Sequence, residues 1–242
     1  MRKLERYPIK FSKYSSHSVI RGYIYCDTND QSNYSLLDVG CSTGGLYDLL
    51  PKERIEYVGI EPHEADYLEG RSKNLNIMNM SVETALSRLT TKFDFIVFAD
   101  VLEHLSKPTE VLTSIQHLQK SNSKILISVP NVAHFYVRLS LFFGNWRYTK
   151  RGILDETHLR FFTRRSILHA VKLSGYEITE LTCTPIPLEP IAPRLPNWLF
   201  KILDEINFRI TKIYPRLFAF QWVLIAQPIQ TELFHLKKTN KK

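Results

Sequence analysis

The stretch Ser35-Leu36-Leu37-Asp38-Val39-Gly40-Cys41-Ser42-Thr43-Gly44-Gly45 reads as a short buried strand that ends in an acid and breaks into a glycine-bearing loop, ahead of Leu46-Tyr47-Asp48-Leu49-Leu50. A strand that feeds a tight loop and then a helix aims backbone N–H groups and the positive helix end at whatever sits above the strand's carboxyl edge. That outlines a nucleotide-ligand site. Spacing narrows the nucleotide: a dinucleotide fold takes Gly-x-Gly-x-x-Gly, whereas here Gly40 and Gly44 stand apart with Ser42 between them. The pyrophosphate fingerprint is absent.

About twenty residues further on, Glu56-Tyr57-Val58-Gly59-Ile60 makes a second strand followed by Glu61, and Pro62 suits the first turn of a new helix. Glu61 thus stands at a carboxyl edge. An ionised carboxylate only accepts hydrogen bonds, so there it suits a ribose diol with its two neighbouring donors. On these residues alone NAD stays open as the ligand.

From Ser35 to about Val129, apolar runs at 35–39, 56–60, 75–79, 93–99 and 124–129 alternate with helical stretches near 45–50, 62–69, 82–89 and 107–119. Such alternation means parallel β-α units, hence an α/β fold with a Rossmann-like, doubly wound sheet. Ser106 is expected to cap the helix that carries Pro108 in its first turn, with Ser121-Asn122-Ser123 ending the connection. Thr163 is expected to cap a helix that Gly175 terminates, and 176–183 and 218–227 read as the last strands. A further helix is expected near residues 16–24, before the Asp27-Thr28-Asn29-Asp30 turn cluster.

Asp38-Val39-Gly40-Cys41-Ser42-Thr43-Gly44, then Glu61, then Phe93-Asp94-Phe95-Ile96-Val97-Phe98-Ala99-Asp100-Val101-Leu102-Glu103-His104 resemble, in order and spacing, the successive motifs of class I S-adenosylmethionine-dependent methyltransferases. Ser42 replaces the middle glycine common in that family, at little cost because the ligand carries no phosphate needing close backbone approach. The resemblance implies S-adenosylmethionine as cofactor, a leader helix over it, and an antiparallel hairpin closing a mostly parallel sheet. It also implies that Asp38 and the backbone of Gly40, Cys41, Ser42 and Gly44 hold the methionine part, while Glu61 takes the ribose hydroxyls. Ser81 and Val82 would border the adenine, and Asp100 and Val101 would line the floor beneath the sulfonium. Glu103 and His104 resemble a pair that ubiquinone-type O-methyltransferases can use around a metal. A convincing metal site needs three or more ligands, and no adjacent Glu or His completes this one, so no metal is expected.

Two segments exceed what such a core needs and are read as acceptor-side insertions of a single domain spanning residues 1–242: about 130–162 and 185–215. The first holds His134 and His158, each just beyond a strand end, and histidine is the usual group for taking a hydroxyl proton near neutral pH. Both are candidate proton acceptors, with His158 favoured because Asp155 and Glu156 lie close in sequence; a half-buried capping histidine is the bland alternative for each. Val129-Pro130-Asn131-Val132-Ala133-His134 with Leu154-Asp155-Glu156-Thr157-His158-Leu159-Arg160-Phe161-Phe162-Thr163 resembles a subgroup of small methyltransferases of cell-surface polysaccharide synthesis. The second segment starts with prolines at 185, 187, 190, 193 and 196 and continues as an amphipathic helix. That helix puts Trp198, Ile202, Ile206, Ile210 and Ile213 on one stripe. A lid packed on the domain is the preferred reading over a membrane-surface helix, with peripheral membrane contact kept as the alternative.

At 242 residues and 44% hydrophobic content the chain suits one α/β domain with a sizeable core. Cys26, Cys41 and Cys183 are widely spaced without a Cys-x-x-Cys pair, so neither a disulfide framework nor a zinc site is suggested. The N-terminal residues lack the apolar core of a signal peptide, and no apolar run approaches the roughly twenty residues of a membrane span. A soluble, cytoplasmic protein is expected. Net charge +8 allows nucleic acid, anionic lipid or phosphorylated partners without choosing among them, and the Lys237–Lys242 tail reads as a solvated end.

The expected reaction is transfer of the sulfonium methyl to an oxygen, or secondarily a nitrogen, of a small-molecule or glycan-linked acceptor. Two rivals stand beside it: a non-catalytic S-adenosylmethionine-binding partner protein, and an RNA methyltransferase. Dispersed basic residues and the lack of a recognisable RNA-binding module disfavour nucleic acid. The oligomeric state stays open.

Overall fold

The computed structural model describes residues 13–28, 32–188, 191 and 196–229. The terminal lysines and Pro190 and Pro193, singled out above, lie outside these residues.

Strand β1 (Tyr34–Val39) is buried along its whole length, as a central strand covered on both faces must be. It pairs in parallel with β2 (Ile55–Ile60) on one side and β4 (Phe93–Ala99) on the other. With β3 (Ile77–Met78), β5 (Gln119–Pro130), β6 (Tyr176–Thr184) and β7 (Gln221–Pro228), they form a seven-stranded sheet of order β3-β2-β1-β4-β5-β7-β6. Strand β7 runs antiparallel to both β5 and β6, so the expected closing hairpin is present.

Side chains alternate between two cores, one on each sheet face. Leu37, Val39, Ile96, Phe98, Ile125 and Ile127 meet α3 (Val82–Leu86), α4 (Pro108–Ser114) and α6 (Arg164–Leu173). Leu36, Phe95, Val97, Leu126, Val223 and Ile225 meet Ile20 and Ile24 of α1 (Ser16–Asp27), together with Leu46, Leu50 and Leu75. Helix α2 (Glu64–Ser72) lies beside β3, where Gly70 approaches the Ile77 side chain. The doubly wound α/β architecture is therefore as expected.

Local differences have identifiable causes. After the glycine loop there is no α-helix but two short 3-10 turns, Tyr47–Leu49 and Lys52–Arg54, because Pro51 stands between them and the chain must enter β2 at Ile55. Ser106 does not cap α4; Lys107 holds that position without a side-chain bond, and the Ser106 carbonyl instead accepts from the Arg160 guanidinium at 2.6 Å. Ser121–Ser123 lie inside β5, beside a register shift between Phe93 and Phe95 that absorbs them. The last strand begins only at Gln221, because Pro215–Phe218 form the short helix α8. At α6 the expectation holds: Thr163 and Ser166 make a reciprocal capping box, and Gly175 follows the helix at φ +84°.

The first insertion carries α5 (Phe135–Phe142) and a small core of Val137, Ile153 and Leu154. Asn131, fully buried, fixes its root: the side-chain amide donates to the Ala219 carbonyl at 2.8 Å and its oxygen accepts from the Ala133 N–H. The second carries α7 (Asn197–Ile213), whose only buried residues are Asp204 and Thr211. Its apolar stripe faces water: Trp198 and Ile213 are each 66% exposed, and Ile202, Ile206 and Ile210 are also exposed. The helix is attached to the domain, but not through this stripe. The helix is attached by its polar side instead, through Asn207 to the Ile186 carbonyl, Lys212 to Thr182, and Glu205 to the Tyr14 hydroxyl, with Phe208 stacked on the Tyr14 ring.

Candidate active site

The carboxyl ends of β1, β2 and β4 lie side by side, and the loops leaving them bring Asp38, Gly40–Gly44, Glu61, Asp100 and Val101 together. Gly40 sits at φ +69°, donates to the Ile60 carbonyl at 2.8 Å, and would place a Cβ 2.6 Å from the Val101 side chain. Only glycine meets both conditions. Gly44, at φ +85°, is likewise closed to a Cβ by Leu75.

Glu61 is 7% exposed and accepts two backbone N–H bonds, from Ser42 and from His63, each at 2.8 Å. It thereby ties the β1 loop to the start of the next segment. Burial raises its pKa, opposed by those N–H bonds. Each oxygen keeps a lone pair for a further donor.

Asp38 is fully sequestered beneath the loop, and its carboxylate accepts from the Tyr57 hydroxyl at 3.0 Å. Burial, against the Tyr57 bond, pushes its pKa up to about 7. Cys41 lies in the same pocket, its thiol held protonated by burial and by the neighbouring Asp38. Tyr57 escaped the sequence reading, although strand alternation puts it on the face of Gly59, the residue in register with Asp38.

Asp100 adopts φ +58°, a strained region for a side-chain-bearing residue. Three residues from three elements hold it: Ser128 Oγ donates at 2.9 Å, Gln221 Nε2 at 2.6 and 2.7 Å to the two oxygens, Ser16 Oγ at 3.4 Å, and its own N–H bonds Ser128. His17, next to Ser16 on α1, feels the Asp100 charge, but burial dominates and lowers its pKa. Gln221 is far away in sequence, so no local pattern could announce it.

Ser81 and Val82 stand at the start of α3, beyond β3. The Ser81 hydroxyl accepts from the Thr84 N–H as the helix cap, and Val82 is packed into the core.

The two histidines diverge. His134 is 1% exposed and caps α5, accepting from the Tyr136 N–H while its ring also bonds the Phe218 backbone; burial pushes its pKa down to about 4. Its Nδ1 is engaged by the cap bond, so its geometry is that of a capping residue. His158 is half-buried, with Nδ1 at 3.1 Å from the Ile153 carbonyl; an Nδ1–H donated there leaves Nε2 as a free acceptor. Burial is the main cause of its lowered pKa.

The insertion also folds His158 against the end of β4, its ring 4.8 Å from that of His104. Ligand atoms of Glu103, His104 and His158 all lie within 4.8 Å of one another. The expectation that nothing completes the Glu103–His104 pair is corrected, since the third donor comes from the distant insertion. Glu103 is 1% exposed, and neither carboxylate oxygen has a hydrogen-bond partner; burial, with the nearby Asp100 charge, raises its pKa well above the usual value. One carboxylate and two imidazoles could hold a divalent cation.

Residues 11–181 match the family model described as "Methyltransferase domain". The chain is 30% identical over 180 residues to a ubiquinone biosynthesis O-methyltransferase of Histophilus somni (strain 2336), covering 66% of this chain and 75% of that protein. Among solved structures, it resembles the plantazolicin methyltransferase BamL in complex with a triazolic desmethylPZN analog and SAH, at TM-score 0.59 and 15% identity over 91% of this chain and 87% of that one. It also resembles the [4+2]-cyclase SpnF, at TM-score 0.57 and 16% identity over 88% and 82%.

Proposed function

The chain belongs to the methyltransferase-domain family, and we propose that it carries the sulfonium methyl of S-adenosylmethionine to a hydroxyl oxygen of a small or glycan-linked acceptor, with His158 as the proton acceptor. That it is an S-adenosylmethionine-dependent methyltransferase follows from its family and relatives. The oxygen acceptor is our inference. It agrees with the O-methyltransferase name of the relative at 30% identity, and one observation carries it: His158, with Nδ1 oriented by the Ile153 carbonyl, presents a free Nε2 beside the end of β4.

In this reading Asp38 and the Gly40–Gly44 loop hold the methionine part, Glu61 the ribose, Ser81 and Val82 the adenine edge, and Asp100 and Val101 the floor. The insertions at 130–162 and 185–215 belong to the acceptor side. The sulfonium is already activated, so the protein supplies in-line positioning, a dry pocket and a base as the C–O bond forms and the C–S bond breaks. The methylated acceptor, S-adenosylhomocysteine and a proton held on His158 are the products. His134 is left with its capping role.

The clustering of Glu103, His104 and His158 favours a second reading, in which the three hold a divalent cation that lowers the pKa of an acceptor hydroxyl. Incubating cell extract with radiolabelled-methyl cofactor and identifying the labelled product tests the main proposal. A labelled ether supports it, a labelled methyl ester, amine or RNA overturns the acceptor, and tight cofactor binding without any transfer supports the non-catalytic rival. Activity abolished by a chelator and restored by metal would replace His158 as base with the metal reading.

A further inference from the structure

Helix α5 and the loop after it are apolar where a folded surface is usually polar. Residues 141–150 are exposed without a break. They run Leu141-Phe142-Phe143-Gly144-Asn145-Trp146-Arg147-Tyr148-Thr149-Lys150, with Phe142 81% and Phe143 67% exposed. Such groups leave water only if something covers them, and exposed patches of this kind mark an interaction surface. Helix α8 links this segment to the second apolar face: Phe135 lies against Phe218, and the Arg138 guanidinium donates to the Arg216 carbonyl, while α8 continues directly from α7 with its outward stripe.

Charge selects the partner. Between Ala133 and Leu154 the chain has Arg138, Arg147, Lys150 and Arg151 and no Asp or Glu. On α7 both acids are engaged by the protein itself: Asp204 is buried, and Glu205 is held by Tyr14, Lys13 and Arg209. Lys201 and Arg209 accompany the stripe. An apolar face rich in Phe, Trp, Tyr and Ile on which cations outnumber acids, with exposed Glu156 at its edge where its N–H donates to the Thr149 carbonyl, matches the boundary between anionic headgroups and acyl chains. A second copy would bring like charges together at the same face.

We propose that α5 with its 141–150 loop, together with the outer stripe of α7, docks this enzyme on a bilayer carrying anionic lipids. Both segments lie in the insertions assigned above to the acceptor side, so docking would present the site to an acceptor held at the bilayer. That last step rests on the proposed function; the docking itself does not.

The test is flotation of the full chain with vesicles of phosphatidylcholine alone and of equal parts phosphatidylcholine and phosphatidylglycerol. Wild-type chain should float with the anionic vesicles and be released by salt, and the double variant F142S/F143S should bind at least about tenfold less, as should R147E/K150E. Ile206→Ser and Ile210→Ser together should weaken binding as well. S-adenosylhomocysteine affinity, measured on the same samples, should be unchanged, which shows that each variant is folded. Failure to float, or equal flotation by wild type and F142S/F143S, overturns the proposal. A salt-resistant dimer that falls apart in F142S/F143S also overturns it, by making a second copy the occupant. Loss of cofactor binding in the wild type would instead strike the methyltransferase reading and leave the docking result standing.

Discussion

Around the loops after β1, β2 and β4, Asp38 is buried against Tyr57, Glu61 is buried with two backbone N–H groups, and the half-buried Asp100 is held by Ser128 and Gln221. On α5 and α7 the arrangement is reversed, with Phe142, Trp198 and Ile213 in water and Asp204 and Thr211 inside. Burying charge is costly without partners and exposing apolar surface is costly without a cover. The first region is therefore complete in the isolated chain and preorganised for a polar ligand. The second is incomplete, and its missing partner must be apolar.

The contrast is sharpened most by removing the proposed base, which links the two regions. His158 sits on the insertion yet lies against the β4 end, so His158→Ala should cut turnover by about 10²–10⁴-fold while S-adenosylhomocysteine affinity hardly moves. His134→Ala should lower thermal stability through the lost α5 cap, with only a secondary effect on rate. Near-normal single-turnover rates in both variants across pH 6 to 9 would leave these histidines structural.

A paired stability measurement tests the contrast directly. Leu102 is fully buried, and Leu102→Ala should cost about 2–5 kcal/mol in denaturant unfolding. Ile206 is 47% exposed, and Ile206→Ser should change stability by no more than about 0.5 kcal/mol in the absence of vesicles. A loss above about 1 kcal/mol at Ile206 would mean that the stripe is covered in solution, and the comparison would fail.

The same boundary separates what was legible in the sequence from what was not. The cofactor half is built from local signals: a buried strand ending in Asp38, the Gly40 turn, Glu61 at the next strand end, and the Thr163 cap all act within a few residues of themselves. Partners such as Gln221 for Asp100, or His158 for Glu103 and His104, are created by the order of strands and the path of an insertion, which local pattern does not encode. The stripe on α7 was visible as a period, but periodicity says only that one face is apolar. Packing determines whether that face points in or out, and here the polar anchors Glu205, Asn207 and Lys212 turned it out.

Within the cofactor half, Glu61→Ala should weaken S-adenosyl ligand binding by about 1.5–3 kcal/mol, because it removes charge-assisted bonds and leaves the Ser42 and His63 N–H groups without their acceptor. Glu61→Gln, which keeps an acceptor, should lose less. Calorimetry with S-adenosylhomocysteine reads both, and equal affinity in all three proteins would remove Glu61 from the ribose site.

The smallest effect, and the one that decides what Asp38 does, is a proton. Its carboxyl titrates at about 7 in the folded chain, against an ordinary value of 3.8, because burial outweighs the Tyr57 bond. The folded state therefore keeps a proton that the unfolded chain releases, so this group's contribution is present at low pH and is lost as pH rises through about 7. Asp38→Asn keeps an acceptor for the Tyr57 hydroxyl and cannot ionise, so its stability relative to wild type should rise with pH across that window, by about 1–3 kcal/mol at most. A ligand ammonium brought near Asp38 would favour the ionised carboxylate and lower its pKa. Binding near pH 6.5 should then release protons in wild type and fewer in Asp38→Asn, which calorimetry in buffers of differing ionisation enthalpy detects, with affinity lower in the variant by about tenfold. Equal proton release and equal affinity in the two proteins would make Asp38 an anchor for Tyr57 alone, and the methionine ammonium would have to be held by the loop carbonyls instead.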